Sequence, residues 1–437
     1  MPALVLDALY VLLLLAASPF LAWKAVRTGK YRRNLKAKFF GDPPKGLDPD
    51  RPVIWFHAVS LGEVQLLRPL LDRYAAAHPH CQLALSTATD TGYDVAREKY
   101  PGVRVFFAPL DFSWALRRTF NALRPKLLVL VELELWPNLL QMAQQRGVTV
   151  TVVNARLGER SHRGYSRVRW LLRPSLSAVR WWGAQTEEIA ARIRSLTRGL
   201  ASTVAVTGSM KYDGAPTDRR NPETRRLRAL FGFAPQEKII LGGSVQGDED
   251  GYLLDVFMRL RGEHPGLRLV LAPRHPDRFD AVAERVRSAG VDLVRRSEIT
   301  SPQAKSAAVT ILDTVGELRA AWGLADFGYV GGTLRCNRGG QNMIEPAGYG
   351  VALVFGNEIW NFQETTDKLL AADAAVRVTN PEELPAVFSE WLRRPDISAR
   401  LGANARGFVA GQLGAVNATL AALAGFTPAG PSRRLSA

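Results

Sequence analysis

Residues 53–77 read VIWFHAVSLGEVQLLRPLLDRYAAA, and the hydrophobic period changes inside this stretch. Val53–Phe56 is an unbroken β-branched and aromatic run, as expected of a strand buried on both faces. Val64–Ala77 places its apolar residues at helical spacing. A polar turn, His57 to Glu63, joins the two. Strand, turn and helix in this order form the first half of a βαβ unit, which predicts a parallel sheet.

Working outward, the same rhythm recurs. Leu83–Ser86, Val103–Phe107, Leu127–Val131 and Thr149–Val153 read as further strands, and Arg180–Ala184 and Thr203–Val206 close the first half. Gly208–Asn221 is rich in Gly, Pro and Asp, which suits a linker. The pattern restarts at Lys238–Leu241 and continues through Leu267–Leu271, Val309–Leu312, Asp326–Val330 and Val351–Phe355. Ala399–Ala424 is helical in period. The expected fold is α/β, two facing Rossmann-like domains with parallel sheets and a cleft between them. The expected boundaries are 51–213 for the first domain, 214–225 for the linker, 226–400 for the second domain and 401–437 for a C-terminal helix and tail.

Ahead of these domains, Ala3 to Trp23 is nearly all apolar, broken by Asp7 and Ser18. That length suffices for a helix across a bilayer core, so residues 1–24 are expected to be a membrane anchor, spanning or lying in the interface. Lys24 ends that segment, and residues 25–50 form a basic juxtamembrane segment with Arg27, Lys30, Arg32, Arg33, Lys36 and Lys38. The positive-inside rule keeps that flank, and the domains after it, cytoplasmic.

The formal net charge of +16 calls for acidic partners. The arginines are spread through folded segments and no nucleic-acid-binding signature is present, which points to an anionic membrane and an anionic substrate, not nucleic acid. The only two cysteines, Cys81 and Cys336, lack metal-ligand spacing and suit a reducing compartment, so no metal site is expected.

Ligands of such sheets bind beyond the carboxyl ends of the strands. Glu63 stands there, as a first-turn helix residue or as a base able to take a proton from a hydroxyl. Glu132 and Glu134 leave the apolar run 127–131, with Asn138 a candidate cap of the next helix. Lys211 can meet a phosphate or carboxylate, or simply face solvent. In the second half, Gly242-Gly243-Ser244 and Asp313-Thr314-Val315-Gly316-Glu317 are strand-to-helix turns that can receive an anion, and Pro273-Arg274 brings a guanidinium suited to phosphate. Asn342 and Glu345 are spaced for a capping box, whereas in a nucleotide-sugar site Glu345 would accept two hydrogen bonds from a ribose diol.

Taken together, HAVSLGE (57–63), ELELWPN (132–138), GSMKYD (208–213), LAPRHPDRF (271–279), DTVGEL (313–318) and GGQNMIEPA (339–347), with Asn361-Phe362 after them, resemble the 3-deoxy-D-manno-octulosonic acid (Kdo) transferases of lipopolysaccharide synthesis. The resemblance runs from the N-terminal apolar segment to about Phe362. It implies a GT-B glycosyltransferase, with an acceptor domain at 51–213 and a CMP-sugar-binding domain at 226–400. The implied reaction is inverting transfer of Kdo from CMP-Kdo to a lipid A precursor at the cytoplasmic face of the inner membrane. CMP-Kdo is then the donor substrate, and no cofactor is implied. The resemblance makes Glu63 the catalytic base, and Glu132 or Glu134, with Lys211, supports of the transition state. It gives Ser244, Pro273, Arg274, Val315, Gly316, Glu317, Asn342, Met343, Ile344 and Glu345 to the CMP site. Gln246 and Gln341 stand where the family commonly has histidine, and Leu334–Arg338 with Cys336 is atypical. Two other readings are a different GT-B transferase or nucleotide-sugar epimerase, and a non-enzymatic anion-binding scaffold on the membrane.

Overall fold

The computed structural model describes residues 3–28 and 34–430. Lys30, Arg32 and Arg33 of the basic flank, and the tail from 431, lie outside the described residues. The chain divides into two units, Met1–Gly214 with Leu413–Ala437, and Ala215–Gln412.

The first unit holds seven parallel strands, β1 (Val53–His57), β2 (Gln82–Thr87), β3 (Arg104–Phe107), β4 (Pro125–Val131), β5 (Thr149–Ala155), β6 (Val179–Ala184) and β7 (Thr203–Val206). Their order is β3-β2-β1-β4-β5-β6-β7, so the direction of winding reverses between β1 and β4. Alternate residues of β1 feed opposite cores. Trp55 joins Phe120 and Trp182 on one face, while Ile54 and Phe56 join Tyr74 and Trp181 on the other. Burial on both faces is why the run shows no polar alternation.

The second unit repeats the plan with β8 (Lys238–Val245), β9 (Leu267–Pro273), β10 (Leu293–Arg295), β11 (Val309–Ile311), β12 (Phe327–Val330), β13 (Ala352–Phe355) and β14 (Ala375–Arg377), in the order β10-β11-β9-β8-β12-β13-β14. The sequence reading missed β10 and β14. Both are three-residue edge strands, with one neighbour each and an incompletely buried face, so they lack the apolar run that marks the others.

Two local expectations change. Gly242 and Gly243 belong to β8 instead of following it. A Cβ on Gly242 would lie 2.3 Å from Leu253, and one on Gly243 would lie 2.1 Å from Trp322, so these glycines admit packing helices and are not an anion-receiving turn. The helical stretch before residue 424 is two helices, Pro395–Ala410 and Ala415–Ala424. They part at Gly414, whose φ is 109°. The second of them packs in the first unit with Tyr74 and Phe56, and the Asp213 carboxylate accepts the Gly414 and Val416 amides at 2.7 and 2.8 Å.

The N-terminal helix, Ala3–Thr28, presents Leu4, Leu12, Leu13, Leu15 and Phe20 to solvent, yet it is fastened to the first unit. Asp7 is only 4% exposed. It accepts the Ser113 amide at 2.9 Å, the Ser113 hydroxyl at 2.5 Å and the Asn138 side-chain amide at 3.1 Å. Tyr10 donates to Asp111 at 3.0 Å. The acid that interrupts the apolar run is thus the clamp that docks it. Asp7→Leu strands these buried donors and is expected to cost the first unit on the order of 3 kcal/mol. Thermal unfolding in detergent checks this, and an unchanged melting temperature would exclude the clamp.

Candidate functional site

In open α/β sheets, ligands collect at the carboxyl edge where the winding reverses. In the first unit that edge lies between β1 and β4, and it carries three carboxylates.

Glu63 belongs to the short helix Leu61–Leu66, whose N-cap is Ser60. The Ser60 hydroxyl oxygen accepts the Glu63 amide at 3.2 Å and donates its own proton to Glu63 Oε1 at 2.7 Å, while Oε2 accepts the Val59 amide at 2.8 Å. The residue is 8% exposed. Burial raises its pKa to about 7, against the pull of the Ser60 and Val59 hydrogen bonds and with a further push from Glu134 and Glu132. The structure therefore brings all three acids into one electrostatic group. Glu132 follows β4 with φ of 60°, a left-handed conformation unusual for this residue type. Glu134 accepts the Trp136 indole at 2.8 Å, and burial also raises its pKa.

Asn138 is not the cap of its helix. Asp111, 27 residues upstream, accepts the Asn138 and Leu139 amides at 2.9 and 2.8 Å, and the Asn138 side chain goes to Asp7 and the Asp111 carbonyl. Lys211 is exposed in the turn after β7. That turn runs back over the strand ends, because the Met210 amide donates to Asn154 at the end of β5, at 3.1 Å.

In the second unit the winding reverses between β8 and β12. Ser244 sits at a bulge near the end of β8 with φ of 56°. A Cβ on Gly331 would lie 2.3 Å from the Ser244 carbonyl oxygen, so only glycine lets β12 leave the sheet here. The two glutamines at family histidine positions meet at this edge. A Cβ on Gly332 would approach Gln246 Nε2 at 2.7 Å and Gln341 Cγ at 3.5 Å. Gln246 is 6% exposed and its Nε2 has no partner among the described residues.

Pro273 ends β9, and the Arg274 amide donates to the Val245 carbonyl at 3.1 Å. The Arg274 side chain is exposed, with no hydrogen bond or ion pair among the described residues. Val315 is exposed and Gly316 has φ of 95°. Glu317 is committed within the protein, to Thr314, Arg226 and Arg296 at 2.5, 2.6 and 2.9 Å. Burial pushes its pKa up, but these three partners together hold it below the usual carboxylate range. Met343 and Ile344 are buried, so their backbone is what they offer a ligand. Asn342 accepts the Ile344 amide at 2.9 Å, and no capping box with Glu345 forms. Burial raises the pKa of Glu345, with Arg319 opposing, and its carboxyl has no hydrogen bond among the described residues.

One residue central to this edge escaped the sequence reading. Glu249, fully buried, accepts the Tyr329 hydroxyl at 2.7 Å and the Thr333 and Leu334 amides at 2.9 and 3.0 Å on Oε1. Its Oε2 accepts the Gly332 and Gln246 amides at 2.7 and 2.8 Å. In sequence it is one of three acids at the start of a helix, and nothing local distinguishes it from its neighbours.

Residues 31–214 match the family described as 3-Deoxy-D-manno-octulosonic-acid transferase (kdotransferase). A 3-deoxy-D-manno-octulosonic acid transferase of Haemophilus influenzae is 30% identical, over 90% of this chain and 92% of that protein. Two solved structures share the fold. UDP-GlcNAc 2-epimerase from Neisseria meningitidis aligns with a TM-score of 0.55 and 11% identity, over 86% of this chain and all (100%) of that one. A glycosyltransferase from Rickettsia africae aligns with a TM-score of 0.52 and 12% identity, over 86% and 98% of the two chains. An epimerase and a transferase on the same GT-B architecture show that the fold alone does not select the reaction.

Proposed function

Since the chain belongs to the 3-deoxy-D-manno-octulosonic acid (Kdo) transferase family and is a glycosyltransferase, we propose that it moves Kdo from CMP-Kdo to a lipid A precursor with inversion, using Glu63 as general base. The observation that carries this reading is the Glu63 carboxylate. It is aimed by Val59 and Ser60 at the carboxyl edge of β1, and burial lifts its pKa to about 7. A base is most effective when its pKa lies near the working pH, because it is then largely ionised and still basic enough to take a proton.

In the proposed step an acceptor hydroxyl loses its proton to Glu63 as its oxygen bonds to the anomeric carbon of Kdo. The bond from that carbon to the CMP phosphate oxygen breaks, and its electron pair leaves with CMP. Glu132 and Glu134 act through Glu63, since their charges add to its basicity. Lys211 stands at the same strand edges as a cation for an anionic acceptor.

We assign the donor to the second unit. Arg274, with no hydrogen bond or ion pair among the described residues, neutralises the departing phosphate, a part that a metal ion takes in other transferases. Glu345, whose carboxyl has no hydrogen bond among the described residues, accepts the ribose hydroxyls, and the Ser244, Val315-Gly316 and Asn342 to Ile344 segments line the nucleotide. Pro273 sets the direction of Arg274, and Glu317 holds its loop through Arg226 and Arg296. The apolar N-terminal helix supports attachment to the cytoplasmic face of the inner membrane, where an anionic lipid acceptor is met.

The full chain in detergent, given CMP-Kdo and a tetra-acylated lipid A precursor, is expected to yield products heavier by one or more Kdo units in mass spectra. Folded protein that leaves this pair unreacted, yet turns over a UDP-sugar, would overturn the assignment.

A further inference from the structure

The first unit contains an apolar cavity of about 250 Å³ beside the carboxylate group, walled chiefly by Trp55, Val59, Ala108, Leu116, Trp136 and Leu139. An apolar cavity of about 150 Å³ already stays dry and takes up hydrocarbon. A second hollow of about 300 Å³ shares Leu110, Asp111 and Trp136 with it and continues along Leu13, Leu14 and Ala17 of the N-terminal helix. The cavity thus adjoins a hollow lined by the most apolar element in the chain.

Its charged lining groups are satisfied internally. The Lys38 ammonium lies 3.7 Å from Asp90 and over the Phe107 ring, and Asp111 is taken by the Asn138 and Leu139 amides and by Tyr10. One polar group in the wall is not satisfied. His57 is 4% exposed, and its Nδ1 meets the Ser86 hydroxyl at 2.8 Å. The Trp55 indole also donates to that hydroxyl, at 2.7 Å, and where Ser86 passes its own proton to Nδ1 the ring proton is on Nε2. His57 Nε2, across the ring from Ser86, has no partner among the described residues. Burial lowers the pKa of His57 to about 4, which keeps the ring neutral near pH 7.

We propose that this cavity binds one acyl chain of the acceptor lipid. An apolar chamber whose charged lining groups are already paired matches a hydrocarbon chain, and a polar headgroup would find few partners in these walls. The chain enters alongside the N-terminal helix, past Leu110 and Trp136. The same walls touch the chemistry, because the Val59 amide holds Glu63 and the Trp136 indole holds Glu134. Seating the chain therefore sets how far the sugar hydroxyl stands from the base. This inference rests on the Kdo-transfer reading and adds to it how the lipid is recognised.

The test uses the full chain in detergent with two acceptors, the tetra-acylated precursor and its fully deacylated disaccharide. Wild-type protein is expected to show a KM at least tenfold lower for the acylated acceptor. Leu110→Trp, which adds bulk at the shared passage, is expected to collapse that ratio toward one. An acceptor with a photoreactive group on one acyl chain should crosslink wild-type protein at peptides containing Leu116 or Leu139, a readout that does not require the variant to fold. Equal wild-type KM values, an unchanged ratio in Leu110→Trp, or crosslinks confined to residues 3–28 would each overturn the acyl site while leaving the transferase reading intact. Absence of transfer to either acceptor would instead count against the transferase reading itself.

Discussion

Glu63→Gln is expected to lower kcat by about 10²- to 10⁴-fold, the usual contribution of a positioned general base. Glutamine keeps the size of the side chain and one acceptor oxygen for Ser60 or Val59, so the short helix retains its start. It cannot take a proton. In wild-type protein kcat is expected to rise with pH and level off above about 7, following ionisation of Glu63. The residual activity of the variant should lack that limb.

Stability moves the other way. The fold raises the Glu63 pKa above its unfolded value, so the native state holds the proton more tightly than the unfolded chain does. Wild-type protein therefore loses part of its stability as pH rises from about 4.5 to about 7, and the glutamine variant does not. At pH 8 the variant should melt at or above the wild-type temperature. A dead variant with an intact melt isolates chemistry from folding. Near-wild-type turnover would remove Glu63 from the role of base.

Glu249→Gln is expected to have the largest effect on the second unit. The native carboxylate accepts five hydrogen bonds, from Gln246, Gly332, Thr333, Leu334 and Tyr329, all in a fully buried site. A glutamine NH2 must face at least two of these donors, whichever way the amide is turned. Stranding buried donors of this kind costs roughly 3–5 kcal/mol. The affected backbone, 331–334, leaves the sheet at the reversal point and flanks Gln246 and Gln341. The variant should therefore unfold its second unit earlier in a thermal melt and bind CMP at least tenfold more weakly by calorimetry. A melt and a CMP affinity both matching wild type would show that the five contacts do not organise the loop. Glu249 is a positioning residue, and a substitution that only removed a ligand contact would leave the melt unmoved.

The two cases differ in how much of them is written locally. Glu63 and Ser60 are three residues apart, and the exchange of hydrogen bonds between them follows from helix geometry once a helix begins there. Residues 57–63 placed Glu63 at this strand edge, and the base role came from the resemblance. Twelve of the fourteen strands among the described residues were readable for a related reason, since a run of β-branched and apolar residues between turn signals encodes a strand without reference to any partner.

Other features depend on groups that meet only after the chain has folded. Asp7 broke an apolar run and carried no sign of its partners, Ser113 and Asn138, more than 100 residues away. Asp111 caps a helix that begins well downstream, and Glu249 holds a loop 83 to 85 residues further along. The pKa of Glu63 is only partly written in its own motif, because burial raises it against the Ser60 and Val59 hydrogen bonds, and the acids after β4 add to that rise. By itself the sequence determined the alternation of strands and helices and placed an acid in the first turn after β1, because these rest on local periodicity and short-range hydrogen bonds, while the family was legible in its ordered motifs. Only the tertiary structure decided which buried charges are paired, which histidine nitrogen is left without a partner and what the apolar cavity adjoins, because desolvation and hydrogen-bond satisfaction are properties of the packed chain.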